Sequence, residues 1–354
     1  MSRFFSKKYE NLIPYTPGEQ PRDTDYIKLN TNESPFSPSQ KAMQYATEEL
    51  SRLNLYPDPN CRELTLTLSE KLGVSPDEIL VTNGSDEILN FAFMAFCDST
   101  HTAVFPNITY GFYKVFAEIN GIPYEEIPLK PDFTIEINDY IGINKNIFIA
   151  NPNAPTGILL SISQIEEIVK SNPNNVVVID EAYIDFGGES AIPLIHKYGN
   201  LLITQTFSKS RSMAGARLGF GAGCKELIAD LNTIKYSTNP YNVNRITSAL
   251  GVGTLKDDIK TQENCAEIIK NREYTKNELK SLGFLVTNSA ANFVFAKKEG
   301  IAGENLYKKW KENGILVRHF ESPEICDYNR ITIGSKKQME DFIKITKEIL
   351  EGKE

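Results

Sequence analysis

The sequence predicts an α/β fold: a large domain with a mostly parallel sheet covered by helices, followed by a smaller C-terminal α/β domain. Three observations carry this. From Glu78 the apolar runs EILVTN, TAVFP, NIFIANP, VVVID and LLITQTF alternate with helical stretches near 86–97, 109–120 and 161–171. Those runs are continuous rather than alternating, as in strands buried on both faces of a parallel sheet. After Lys235 the texture changes to fewer, shorter strands, and 354 residues are long for a single core.

Residues 1–30 read as an irregular arm, with Pro14, Pro17-Gly18 and Pro21 as turn signals before the apolar Tyr26-Ile27-Lys28-Leu29. LNTNESPFSPS follows, then a helix over 39–53, a break at YPDP (56–59) and a helix over 61–72. The large domain runs from 31 to 245 and closes in a polar linker, KYSTNPYNVN. The small domain covers 246–354. It holds a charged helix over 257–282, the strands FLVTN, NFVFA, ILVRHF and RITIGS, and helices near 303–313 and 336–351. The arm is expected to pack with it.

Composition excludes several function classes. A net charge of −8 argues against nucleic acid as the main partner. No apolar run approaches the roughly 20 residues needed to cross a bilayer, and the N-terminus lacks a signal-peptide apolar segment. Cys61, Cys97, Cys224, Cys265 and Cys326 are scattered and never form a C-x-x-C pair. That pattern fits reduced thiols in a cytoplasm, and with three isolated histidines it predicts no metal site.

The ends of the predicted strands carry the chemistry. NGSDE follows the first, PNITY the second, NPNAPTG the third, DEAY the fourth and SK the fifth. Ligand sites of open α/β sheets lie at the carboxyl ends of strands, so these distant motifs converge. Taken singly they are weak. NGSDE presents free N–H groups suited to a phosphate, yet it is also an ordinary helix start with Ser85 as N-cap. Asp180 could pair with a ring nitrogen or merely cap. Tyr183 could donate to a phenolate or fill the core, and Tyr110 could stack on a flat cofactor or pack. LLITQTFSKSRSMAGARLGFGAG (201–223) is richer: Lys209 stands among Thr206, Ser208 and Ser210, with Arg217 eight positions on. A lysine there suits a covalent bond to an aldehyde while the hydroxyls and Arg217 hold a phosphate. Jointly, Lys209, Asp180, Tyr183, Arg217 and the Gly84–Asp86 turn supply what pyridoxal 5′-phosphate requires.

The chain resembles the fold-type-I pyridoxal-phosphate-dependent aminotransferases, and within them the histidinol-phosphate aminotransferase family. The resemblance runs nearly end to end, through PYTPG (14–18), LNTNESPF (29–36), YPDP, NGSDE, NPNAPTG (151–157), VVIDEAYIDF (177–186), TFSKSRSMAGARLGF (206–220), PYNVN (240–244), ANF (291–293), VR (317–318) and RITIG (330–334). It implies that Lys209 anchors the cofactor and moves the proton, that Asp180 pairs with the pyridinium nitrogen, and that Tyr183 meets the ring oxygen O3′. Ser85, Asp86, Thr206, Ser208 and Arg217 would bind the phosphate, with Gly84 shaping the turn. Tyr110 would stack on the ring. Tyr56 would reach the neighbouring subunit's cofactor phosphate, which makes the unit a homodimer with shared sites. Arg330 would take the α-carboxylate, with Arg318, Tyr15 and Asn32 beside it on the substrate.

One departure stands out. The family's usual P-N-N-P-T-G has a second asparagine that touches O3′, and here that position is Ala154; Asn153, one residue earlier, is the expected substitute. The implied reaction passes an amino group between histidinol phosphate and 2-oxoglutarate. A threonine-phosphate decarboxylase, an aromatic aminotransferase and a catalytically inert relative of the fold are the rival readings.

Overall fold

The computed structural model describes residues 2–21 and 25–352. Of the expected arm, residues 1 and 22–24 lie outside that description, as do 353 and 354 of the small domain. The chain opens with β1 (Ile27–Lys28), α1 (Gln40–Glu48) and α2 (Arg62–Leu72). Next come β2 (Ile79–Thr82), α3 (Ser85–Phe96), β3 (Ala103–Pro106), α4 (Phe112–Asn120), β4 (Tyr124–Ile127), β5 (Asn146–Ala150), α5 (Ile162–Ser171) and β6 (Val177–Asp180). β7 (Leu201–Thr206), β8 (Gly219–Gly223), α6 (Lys225–Thr238), α7 (Arg245–Leu255) and α8 (Asp258–Ser281) follow. The chain ends with β9 (Phe284–Val286), β10 (Phe293–Lys298), α9 (Gly303–Glu312), β11 (Ile315–Leu316), β12 (Arg318–His319), β13 (Asn329–Thr332) and α10 (Lys336–Leu350).

Seven strands form the large sheet in the order β2-β8-β7-β6-β5-β3-β4. β8 runs antiparallel to both neighbours and the other pairs are parallel. Every residue of β2, β3, β5, β6, β7 and β8 is buried, which is why these strands read as unbroken apolar runs. On one face α3 buries Ile88, Leu89, Phe91 and Phe93, the last stacked on Phe148 of β5 at 4.1 Å between ring centres. Burying side chains of that size stabilises by about 1.5–3 kcal/mol each. α5 starts on a reciprocal cap between Ser161 and Gln164 and buries Ile165, Ile168 and Val169 on the other face.

Two segments differ from the sequence expectation. The first four residues of KYSTNPYNVN end α6, because a helix continues until Pro240 removes a donor and restricts Asn239. α7 then packs against α1 and α2 and places Val252 and Leu255 in the large sheet's core, so the expected boundary at 245/246 cuts the first turn of a helix that packs on the large unit.

The smaller sheet is antiparallel, in the order β12-β13-β10-β9. Trp310 of α9 is fully buried between Phe284 and Phe342, and its indole N–H donates to Thr346 Oγ1 at 3.0 Å. The arm joins this unit: β1 pairs parallel with β11, Leu29 enters the same core, and Leu29 O accepts from Thr332 N. That pairing carries residues 30–33 to the carboxyl ends of the large sheet's strands.

Candidate active site

A cavity of about 310 Å³ lies beyond the carboxyl ends of β6 and β7. Lys209 stands three residues past the end of β7, where the chain turns back toward β8. Its Nζ donates to Thr31 O at 3.1 Å and lies 5.9 Å from the centre of the Tyr183 ring. Among the described residues it makes no ion pair. Burial, with help from nearby Arg330, lowers its pKa to about 8, so roughly a tenth to a fifth of it is neutral amine near physiological pH, far more than for a solvated lysine. Asp180 ends β6 and is buried. Tyr113 Oη donates to its Oδ2 at 3.1 Å and Ala182 N to its Oδ1 at 3.3 Å. Burial outweighs these bonds and pushes the carboxyl up to about 7. A buried carboxylate held only by neutral donors is short of a cation.

The other end of the cavity is built for an anion. Gly84 caps α3 with no side-chain bond, which leaves the first N–H groups of the helix unspent. Ser85 is therefore the first helical residue, not the N-cap. Gly84 sits at φ 80, and a Cβ there would lie 2.7 Å from Arg217 Nη2; one on Gly219 would lie 2.5 Å from Ser85 N. Only glycines let β8, the turn and the guanidinium converge. Thr206 Oγ1 donates to Ser208 Oγ at 3.0 Å, and Arg217 Nη1 donates to the same oxygen at 3.3 Å. The Asp86 carboxylate accepts from Arg217 Nη2 at 3.1 Å and from Tyr110 Oη at 2.6 Å. It orients those two groups, and its own means of holding an anion is its backbone N–H. A carboxylate needing a cation, a depressed lysine and an uncapped helix start with an arginine match the ring nitrogen, aldehyde and phosphate of pyridoxal phosphate.

A second cavity, about 820 Å³, shares Lys209, Tyr110, Tyr183 and Arg217 with the first and reaches the small sheet. Tyr15 stacks on Phe112 there at 4.3 Å. Arg318 and Arg330 stand directly opposite each other on β12 and β13. Arg318 donates to Thr16 O and Pro17 O, and Arg330 Nη2 to Asn30 O, while Arg330 Nε is buried without a partner. Phe320 lies between them, 5.7 Å from each guanidinium. Asn32 borders this cavity, but its amide is engaged with Tyr183 and Thr332.

Asn153 does not do what its position suggested. Its Nδ2 donates to Ile108 O and Thr156 Oγ1 and its Oδ1 accepts from Thr109, so the amide ties two loops together and lines neither cavity. The Ala154 methyl faces the cavity instead. Tyr56 lines neither cavity of its own chain; it is 77% exposed and stacks on Tyr241 at 4.6 Å. Sequence reasoning missed Tyr113, Thr31, Glu33 and Phe320. Tyr113 carried a signal, three residues after Tyr110 within the helix expected near 109–120; Thr31 acts through its backbone and carried none.

The model for aminotransferase class I and II matches residues 24–345. A histidinol-phosphate aminotransferase from Brachyspira hyodysenteriae is 49% identical, covering 99% of this chain and all of the relative. The solved histidinol-phosphate aminotransferase from Clostridium acetobutylicum superposes with a TM-score of 0.84 at 27% identity, over 91% of this chain and 98% of that one. The fold is also that of the Sinorhizobium meliloti histidinol-phosphate aminotransferase, solved in complex with pyridoxal 5′-phosphate (TM-score 0.81, 21% identity, 90% and 89% coverage). A match through both sheets and their connecting elements leaves no unit of the fold outside it: the chain belongs to the pyridoxal-phosphate-dependent class I and II aminotransferases.

Proposed function

We propose that this enzyme passes the amino group of histidinol phosphate to 2-oxoglutarate, in histidine biosynthesis. The observation that carries the reading is the facing pair Arg318 and Arg330 with an unpartnered buried Nε between the arm and the small sheet. Histidinol phosphate has a phosphate and no carboxylate, whereas 2-oxoglutarate has two carboxylates. A guanidinium fork accepts either oxyanion, so one pair serves both half-reactions. Tyr15, Phe112 and Phe320 give the remainder of the donor flat apolar walls. The relatives named above point the same way.

The bound cofactor supplies an electron sink for the carbanion that loss of the α-proton would leave. Lys209 would anchor it and, as a free amine, would carry the proton between the substrate α-carbon and the cofactor's C4′. Asp180 holds a proton on the ring nitrogen, and a cation there relieves its burial. Tyr183 would donate to O3′, Tyr110 would cover the ring face, and Thr206, Ser208, Ser85 and Arg217 with the N–H groups of Ser85 and Asp86 would hold the phosphate. The working unit is a homodimer. Leu50, Leu53, Leu55, Tyr56 and Tyr241 form an exposed apolar surface of the kind a partner covers, and a second copy would bring Tyr56 to the neighbouring phosphate. A biosynthetic enzyme with five free thiols fits the cytoplasm.

The test is a donor panel with 2-oxoglutarate: histidinol phosphate, histidinol, phenylalanine, tyrosine and threonine phosphate, with carbon dioxide followed in parallel. Histidinol phosphate should lead, and histidinol should be poor because the arginines would lose their anion. Arg318→Ala and Arg330→Ala should each raise KM for histidinol phosphate at least about tenfold while cofactor affinity holds. Preference for phenylalanine moves the assignment to an aromatic aminotransferase, and carbon dioxide from threonine phosphate to a decarboxylase.

A further inference from the structure

The amide that the family resemblance implies against O3′ is missing here, since Ala154 offers a methyl group and Asn153 is spent on Ile108, Thr109 and Thr156. Tyr183 is left as the side-chain donor to that oxygen, and the surroundings of its hydroxyl are unusually fixed. Asn32 Nδ2 donates to Tyr183 Oη at 3.0 Å. Thr332 Oγ1 accepts from Asn32 N at 2.9 Å and donates to Asn32 Oδ1 at 2.9 Å. Asn292 Nδ2 holds Asn32 O at 3.0 Å. Asn32 and Thr332 are buried, and Asn32 takes the left-handed backbone (φ 55) that asparagine tolerates.

This arrangement sets the direction of a proton. The Thr332 hydroxyl has one hydrogen, and directing it to Oδ1 fixes the amide with Nδ2 toward the phenol. A phenol that accepts from an amide keeps its own hydrogen for another acceptor, and accepting makes it a better donor. We propose that Thr332 and Asn32 form a positioning relay that holds Tyr183 as donor to the cofactor's O3′, replacing the amide absent at Ala154. In this role both act through Tyr183. The inference rests on the reading of the cavity as the cofactor site with Lys209 as anchor.

A donor to the phenolate oxygen lowers the basicity of the neighbouring nitrogen that links the cofactor to Lys209. The strength of the Tyr183 bond is therefore read in the pH midpoint of the bound cofactor's visible absorption. Thr332→Val removes the hydroxyl with little change in shape, and Asn32→Ala removes the amide. Each should raise the midpoint by about half a unit, roughly threefold in the protonation equilibrium. In a Tyr183→Phe background, which itself raises the midpoint, neither should add a shift. Ala154→Asn, which restores a direct amide donor, should shrink the effect of Thr332→Val. An unmoved or lowered midpoint in both single variants overturns the relay while leaving the site intact, as does an undiminished shift in the Tyr183→Phe background. A wild-type protein whose visible band does not depend on Lys209 overturns the site reading and the relay together.

Discussion

At the scale of single residues, the site works by placing charged groups where water cannot satisfy them. Lys209 has its pKa lowered from 10.5 to about 8, chiefly by burial, with Arg330 adding to it. The neutral amine is the form that bonds to an aldehyde, and its fraction falls about tenfold per pH unit below the pKa. Cofactor uptake by the apo-protein should therefore speed up with pH and level off above about 8, measured by stopped-flow absorption; a rate still climbing toward pH 10 contradicts the environment described. Asp180 gives a second prediction. Asp180→Asn keeps the shape but removes the charge proposed to hold a proton on the ring nitrogen, and should lower kcat by about a hundredfold or more. Much of this was legible, because Lys209, Asp180, Tyr183 and Arg217 are rare types at strand ends. Asn153 and Ala154 show the limit: one residue of slack in a loop decides which side chain faces the cavity, and periodicity does not record that. Asn32, expected beside the substrate, does border the second cavity, but its bonds to Tyr183 and Thr332 span 151 and 300 residues of sequence.

At the scale of elements, the phosphate cradle depends on how closely β8 approaches the start of α3. A Cβ on Gly219 would sit 2.5 Å from Ser85 N and 2.6 Å from Gly84 C, both backbone atoms that no rotamer change can move aside. Gly219→Ala should displace the helix N-terminus and weaken pyridoxal phosphate binding at least about tenfold, read by fluorescence titration. Gly199→Ala is the control, since its Cβ would meet nothing closer than Cys224 Sγ at 4.0 Å. Buried strands were readable for the same reason that they pack tightly: residues 147–149 of β5, 177–179 of β6 and 201–203 of β7 are apolar on both faces. β4 escaped because it is an edge strand whose sequence, YEEI, carries two carboxylates into solvent. α6 escaped because KELIADLNTIKYST mixes lysines, threonines and aliphatics, with Leu227, Ile228 and Leu231 as its buried apolar anchors and Ile234 half-buried beside them.

At the scale of the molecule, the large unit brings Lys209 and Arg217 to the cavities while the small unit, tied down by the arm, brings Arg318 and Arg330. Tyr56 fits neither part. It stands 77% exposed on a stack with Tyr241, beside Leu53 and Leu55, which are each 54% exposed. Apolar surface of this kind is costly in a monomer, and an isologous contact would bury it twice over. The proposed homodimer with shared sites would have a consequence for activity that a structural contact alone would lack. A Lys209→Ala chain keeps Tyr56, and a Tyr56→Ala chain keeps Lys209. In a hybrid dimer, one site draws its lysine from the second chain and its tyrosine from the first, and the other site has neither. Random pairing of equal amounts makes half the dimers hybrids, each with one working site of two, so mixing should restore about a quarter of wild-type turnover. Chains unfolded together and refolded give the hybrids, and chains refolded apart and then mixed give the baseline. Equal activity in the two preparations means that each site is complete within one chain and that Tyr56 serves the interface alone.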